Sequence, residues 1–172
     1  NEITSTVSET YTTKADFNGL SIGGRNLVKN STFKNSNNWD LHDNISIDTS
    51  KKLDGCNSLK MALTGHTGSV WLGATQSNVS SNVKKGDVFT VSFFYYIENK
   101  NTLDDGFACE LKGHLSTGDV NICNYPIITK DNCVEGKWTH FYYVVTISRD
   151  LDSVFIFPWV RRNGTVWITK IK

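Results

Sequence analysis

The sequence predicts an all-β fold, a jelly-roll β-sandwich preceded by a short helical or linker segment, and three observations carry that expectation. Segment 86–97 runs on β-branched and aromatic residues, and period two puts Phe89, Val91, Phe93, Tyr95 and Ile97 on one apolar face. Similar short runs recur down the chain, separated by Gly-, Asn- and Asp-bearing turn signals. Beyond residue 22 no stretch repeats its apolar residues at helical spacing. The opposite face of 86–97 carries Thr90, Ser92, Phe94 and Tyr96, an unusual mixture for a surface that only meets water.

Bulk properties narrow the function classes. A chain of 172 residues holds one sizeable domain and an appendage. Its net charge of +1 draws it neither to nucleic acid nor to a membrane, and no apolar run approaches the ~18–20 residues of a membrane span. Aromatic residues make up 12% while Pro numbers two and Met one, a profile of an all-β binding domain rather than a helical enzyme. The N-terminus lacks a basic-then-apolar leader pattern, and the last strand pattern reaches the final residue, as in a piece of a longer chain. Cys56, Cys109, Cys123 and Cys133 form no CxxC pair and have no His at zinc-finger spacing, so a structural metal is not expected. Their spacing suits free thiols, although two disulfides are open to an even count, and Cys109 is expected inside beside Leu111.

Along the chain, residues 1–22 differ in texture. Ile3, Val7 and Tyr11 recur every four residues among Thr, Ser and Glu, the thin stripe of a short helix. Such a helix is marginal alone, so this segment is either a linker or a stalk end that oligomerises with its copies. Asn18-Gly19 and Gly23-Gly24 mark the boundary with a domain at 23–172. Asn26, Leu27, Val28 and Phe33 read as a first strand, with a loop at 35–38 before Trp39. Ile45 and Ile47 alternate into a short strand, 58–63 points Leu59, Met61 and Leu63 inward, and 69–76 follows the turn Gly65-His66-Thr67-Gly68.

After 86–97, taken as the central strand, 99–106 is a polar loop. Segments 107–115 and 120–128 flank Ser116-Thr117-Gly118-Asp119 as a hairpin. Gly136-Lys137 opens a second long strand at 138–148, and 152–160 and 165–172 close the domain. Trp39 and Trp138, near strand starts, are expected in the core. Arg161-Arg162-Asn163-Gly164 reads as a turn with two solvated cations or, alternatively, as a contact for an anionic polymer.

Four motifs in order carry a resemblance. Gly24-Arg25-Asn26-Leu27-Val28-Lys29-Asn30-Ser31-Thr32-Phe33 with Trp39 resembles the GRNLLxNSxF…W opening of carbohydrate-binding-module-like domains in tail and baseplate proteins of phages of Gram-positive bacteria. Gln76 with 85–93 (KGDVFTVSF) resembles the Q…xxGxxYTxSF segment of those domains. Gly136-Lys137-Trp138-Thr139 is similar to their GxWT strand opening, and 164–172 to their closing strand. Residues 6–26 resemble the junction that precedes such modules.

The resemblance implies a non-catalytic jelly-roll module, related to xylan- and glucan-binding modules of glycoside hydrolases, that helps a phage tail attach to host cell-surface polysaccharide. Its implied partners are that polysaccharide and other tail or baseplate proteins, and its implied location is the virion, acting outside the host cell. Enzyme-associated relatives often hold a structural calcium through an acid beside the early GF motif and an Asp in the last strand. Here those positions read Thr32-Phe33-Lys34 and Ile168-Thr169-Lys170, and Lys34 would put an ammonium where a carboxylate belongs. Calcium is therefore disfavoured, and no cofactor is expected.

A saccharide offers an apolar C–H face to an aromatic ring and a rim of hydroxyls to polar side chains. Three strands alternate in that way. The outward sets are Thr90, Ser92, Phe94 and Tyr96; His140, Tyr142, Val144 and Thr146; and Glu110, Lys112 and His114. If those strands share a sheet, Tyr96, Tyr142, His140, Glu110 and His114 line one groove, with Phe94, Trp71 and Trp159 as further candidate contacts. Phe155, Phe157 and Trp159 share a parity that makes their strand either core or groove. The competing reading pairs these rings across strands with no ligand, and leaves His114 and His140 as plain surface residues.

Two other function classes compete. A glycosidase needs two opposed carboxylates, and only Glu110 falls on the candidate face; GxSxG, HExxH and phosphate-binding Gly-loop patterns are missing. A structural spacer that binds nothing, or a module of a cell-wall or polysaccharide hydrolase, remains open.

Overall fold

A computed structural model describes residues 25–172; the helix or linker expected at 1–22 lies outside them. Ten strands follow in order: β1 (Asp40–Leu41), β2 (Ile45–Leu53), β3 (Cys56–Leu63), β4 (Trp71–Val83), β5 (Val88–Tyr96), β6 (Phe107–Leu115), β7 (Gly118–Asn121), β8 (Thr139–Thr146), β9 (Leu151–Arg161) and β10 (Gly164–Thr169). They form two five-stranded antiparallel sheets, β1-β4-β9-β6-β7 and β2-β3-β10-β5-β8, stacked as a β-sandwich. One 3₁₀ turn, Lys100–Thr102, interrupts the expected polar loop. No helix among the described residues is long and apolar enough to cross a membrane.

Alternation builds the interior. From the second sheet Leu59, Met61, Val91, Phe93, Val166 and Ile168 point inward, each at most 2% exposed. From the first, Phe107, Cys109, Leu111, Val154, Ile156 and Val160 meet them. Tyr143 ties the layers: its hydroxyl donates to the Cys109 carbonyl (2.7 Å) and accepts from the Leu111 amide (3.1 Å). Burial therefore pushes the Tyr143 phenol and the Cys109 thiol up, each helped by neighbouring anionic forms. All four cysteines are free thiols.

Several expectations need correction. Segment 26–28 is not a strand: buried Gln76 holds it instead, accepting from the Lys29 amide (2.7 Å) and donating to the Lys29 carbonyl (2.8 Å). That side-chain amide does for β4 what a neighbouring backbone would have done. Asn30, at φ 47°, organises the next loop by donating to the carbonyls of Asn35 and Asn37 and accepting from the Lys34 amide. The middle strand of the second sheet is β10, with β5 second from the edge. Of the expected 120–128 strand only Val120 and Asn121 fall in β7, which also takes in Gly118 and Asp119 of the expected turn; Ile128 makes a single bridge to Phe107.

Trp39 is buried as expected, but Trp138 lies half-buried on the outer side of the second sheet and donates to the Lys52 carbonyl (3.0 Å). The cations Arg161 and Arg162 are half-buried and paired with Asp104 and Asp105 at 3.2–3.7 Å, not freely solvated.

Candidate functional site

The eight candidate residues divide into two sets of four on opposite sides of the sandwich. Phe94, Tyr96, His140 and Tyr142 project from β5 and β8 of the second sheet. Glu110, His114, Trp71 and Trp159 belong to β6, β4 and β9 of the first. The single groove expected across β5, β8 and β6 does not form, because β6 pairs with β9 and β7 rather than with β5. Sequence parity placed Phe94, Tyr96, His140, Tyr142, Glu110 and His114 on outer faces and left Trp71 and Trp159 open; it carried no information on which sheet each strand joins.

On the second sheet the outer face is filled by its own side chains. Tyr96 packs against Trp138 (5.6 Å) and Trp167 (6.0 Å), and the Lys51 ammonium sits 4.2 Å from its ring centroid. Trp167, 5% exposed, donates its indole N–H to Asp48 Oδ2 (2.8 Å). Burial works against the Asp48 charge, but hydrogen bonds from Ser50, the Lys51 amide and Trp167 overcome it and hold the carboxyl well below the usual carboxylate range. Phe94 stacks obliquely with His140 (4.8 Å), and His140 lies parallel to Tyr142 (6.1 Å). Partial desolvation, then the Lys172 ammonium, pushes the His140 imidazole down. Of the four, Tyr142 (52% exposed) and His140 are exposed, while Phe94 and Tyr96 are half-buried.

The outer face of the first sheet is hollowed. The unbroken register from Trp71 to Gln76 sets Trp71 across from Arg161 and Gly73 across from Trp159. A Cβ at Gly73 would collide with the Pro158 carbonyl, so only glycine lets β4 approach β9 this closely. Beyond Gln76 the register shifts, and Asn78 adopts φ 53°, bulging β4 away from β9. A hollow of about 300 Å³ opens there, lined by Thr75, Ser77, Asn78, His114, Asp119, Ser153 and Phe155. A second, of about 500 Å³, adjoins it through Thr75, Ser77 and Asn78 and reaches Lys29 and Trp39. Neither includes Tyr96 or Tyr142.

Around these hollows, rings and polar groups alternate. Phe155 lies across from Lys112, whose ammonium is 5.9 Å from its ring, and Phe157 meets His42 edge-on (5.5 Å). His114 Nδ1 bonds Asp119 Oδ1 (2.8 Å). At one end Trp71 is 44% exposed, with the Arg161 guanidinium 5.0 Å from its ring and Arg161 held in turn by Ser69.

Two candidates on this face are sealed rather than open, and this corrects their expected role as direct sugar contacts. Trp159 is 0% exposed beneath Tyr125, and its indole N–H donates to Glu110 Oε2 (3.0 Å). Glu110 is 4% exposed, and burial pushes its carboxyl up against the opposing pull of that donor and of Lys112. Phe155 and Phe157 belong to the groove side of the parity choice. Tyr125 and the β4 bulge had no periodic signal by which to find them.

The position where enzyme-associated relatives hold calcium is occupied here by the chain's own contacts. The carbonyls of Phe33 and Asn57 are taken by Asn57 Nδ2 (3.0 Å) and Thr169 Oγ1 (2.6 Å), and the nearby acid, Asp54, pairs with Lys170. Among the described residues no three His, Cys, Asp or Glu side chains gather as a metal site.

A sandwich of two five-stranded antiparallel sheets with a hollowed outer face places the chain in the fold class of carbohydrate-binding modules. It is similar to a family 16 carbohydrate-binding module, with 14% identity, 86% of this chain and 98% of that one covered, and a TM-score of 0.62. It is also similar to the CBM22-1 xylan-binding domain from Paenibacillus barcinonensis Xyn10C (14% identity, 86% and 92% covered, TM-score 0.55). A third likeness is to the enzymatically active domain of tailspike protein 4 of bacteriophage CBA120, with 14% identity, 85% of this chain but 21% of that one covered, and a TM-score of 0.54. No protein-family model and no curated protein sequence matches.

Proposed function

We propose that this chain is a non-catalytic saccharide-binding module and that its ligand lies along the outer face of the first sheet. The observation that carries the reading is the hollow in which Phe155 supplies an apolar surface among Thr75, Ser77, Asn78, His114, Asp119 and Ser153. The exposed Trp71 ring stands four residues from Thr75 along β4, about 13 Å at ~3.3 Å per residue, a span for an oligosaccharide rather than one ring. The xylan-binding description of a structural neighbour agrees with that ligand class. Glu110, pinned to Trp159 under Tyr125, serves the packing of the face rather than hydrolysis.

The motif resemblance and the tailspike likeness support a finer reading: a module of a phage tail or baseplate protein, carried on the virion, that helps attachment to host cell-surface polysaccharide. On this reading it needs no calcium.

The experiment is a glycan array followed by calorimetric titration, with purified Gram-positive cell walls as a second ligand. Trp71→Ala and Phe155→Ala should each weaken binding about tenfold, ~1.4 kcal/mol, with Trp71→Ala leaving the thermal transition in place. Binding to no glycan and no wall preparation would overturn the reading and leave a structural spacer. Release of reducing sugar would overturn its non-catalytic part.

A further inference from the structure

An antiparallel sandwich has four outer edges, and three of these are blunted. β1 is two residues long, and past it β4 is bent by its bulge at Gln76–Ser80. β7 is four residues long and carries Asp119. β2 carries Asp48, Lys51 and Lys52 and loses register between Asp48 and Leu53. Short edges, charges and bulges are the devices that keep sheet edges from pairing with other chains.

The fourth edge, β8, has none of them. Its eight residues, Thr-His-Phe-Tyr-Tyr-Val-Val-Thr, include no Asp, Glu, Lys, Arg, Gly or Pro. Its register with β5 is unbroken from Tyr95↔Thr139 to Val88↔Thr146. The Ile147 amide donates to the Asp87 carbonyl of the β5 side, so by alternation the backbone groups of His140, Tyr142, Val144 and Thr146 point away from β5. Among the described residues no backbone group pairs with them. Beside this edge, Val88 (62% exposed), Tyr142 (52%) and Val144 (59%) account for three of the four exposed large hydrophobic residues among the described residues.

We propose that β8 is a homodimer edge: it pairs antiparallel with β8 of a second copy about a two-fold axis, joining the second sheets of both into one. Charge favours a copy as the occupant. An uncharged strand meets itself with no like charges opposed, and each flank offers both signs, Glu135 and Lys137 before the strand, Arg149 and Asp150 after it. Parity agrees. Setting Tyr142 opposite Val144 of the partner lets all four outward residues pair their backbone groups, and it makes aromatic–β-branched cross-strand pairs on the outer face. The contact is self-complementary, and the other edges are blunted, so assembly closes at two copies. The groove of the first sheet lies on the opposite side and stays open in both.

Sedimentation velocity of the whole chain over a concentration series tests this. The wild type is expected to shift from monomer to dimer. Val144→Lys and Thr146→Lys, both at exposed positions, should each raise the dimer dissociation constant about tenfold or more. The uncharged Val144→Thr should leave it within about twofold, and all three should keep the thermal transition. A wild type that stays monomeric at every concentration overturns the proposal. So does a dimer that both lysine variants leave unchanged, since the contact would then lie elsewhere, residues 1–24 included.

Discussion

The two outer faces carry similar aromatic inventories, yet both hollows described above lie on or beside the first sheet. On the second sheet Tyr96 and Trp167 are already answered from within, although Tyr142 is open: Lys51 lies over Tyr96, Trp138 and Trp167 flank it, and Asp48 takes the Trp167 indole. On the first sheet Arg161 lies over Trp71 yet leaves that residue 44% exposed, and the β4 bulge opens space beside Phe155. Aromatic content therefore does not define a binding face. What matters is whether the protein's own cations and neighbouring rings have already used the ring surfaces that a ligand would need.

The sharpest way to break this comparison is to remove a ring that the first face keeps sealed. Trp159→Ala deletes a fully buried indole, uncovers Tyr125 and leaves the Glu110 carboxyl without its donor. The expected loss is about 3–5 kcal/mol, measured by urea unfolding. A loss under ~1 kcal/mol would mean that Trp159 is not the support of this face.

On the second face the comparable support is electrostatic. Asp48→Asn should cost about 1.5–3 kcal/mol at pH 7, because charge-assisted bonds from Ser50, Lys51 and Trp167 all weaken. The sign follows from its depressed folded pKa. The contribution is present above the unfolded value near 4 and is lost as pH falls through the folded one. Wild type and variant should therefore converge in acid.

Glu110 behaves in the opposite sense. Its folded pKa is raised, so stability is fullest below the unfolded value near 4.5 and declines as pH rises through the folded one. Glu110→Gln should leave acid stability unchanged and raise the thermal transition at pH 7–8, by about 2–4 °C for each ~1 kcal/mol gained. A pH-independent difference between wild type and variant would show that the folded state does not raise the carboxyl.

These effects also mark what the sequence disclosed. Period two placed Leu59, Met61 and Phe93 inside and Phe94, Tyr96, Glu110, His114, His140 and Tyr142 outside, because alternation is local and independent of pairing. Sheet membership is not local. β6 joins β9, 45 residues away or so along the chain, and nothing within 107–115 encodes that choice. The expected first strand that the structure lacks has the same origin: Leu27 and Val28 look like a strand, but the Gln76 amide takes the backbone in place of a ladder. Covering loops are harder still, since Tyr125 seals Trp159 from a segment with no repeating pattern.

The smallest expected effect is the most discriminating between the faces. Tyr142 was the natural sugar contact by sequence: an aromatic residue on an outward parity beside His140. Its ring is 52% exposed and touches the parallel imidazole of His140, so Tyr142→Ala removes little packing. The thermal transition should move by no more than about 0.5 kcal/mol equivalent. Saccharide affinity should stay within about twofold of the wild type, because the hollows proposed to take ligand lie across the sandwich. If Tyr142→Ala instead weakened binding as much as Trp71→Ala, the flat, self-filled face would be a ligand surface too, and occupancy of ring faces by the protein's own side chains would no longer separate the two.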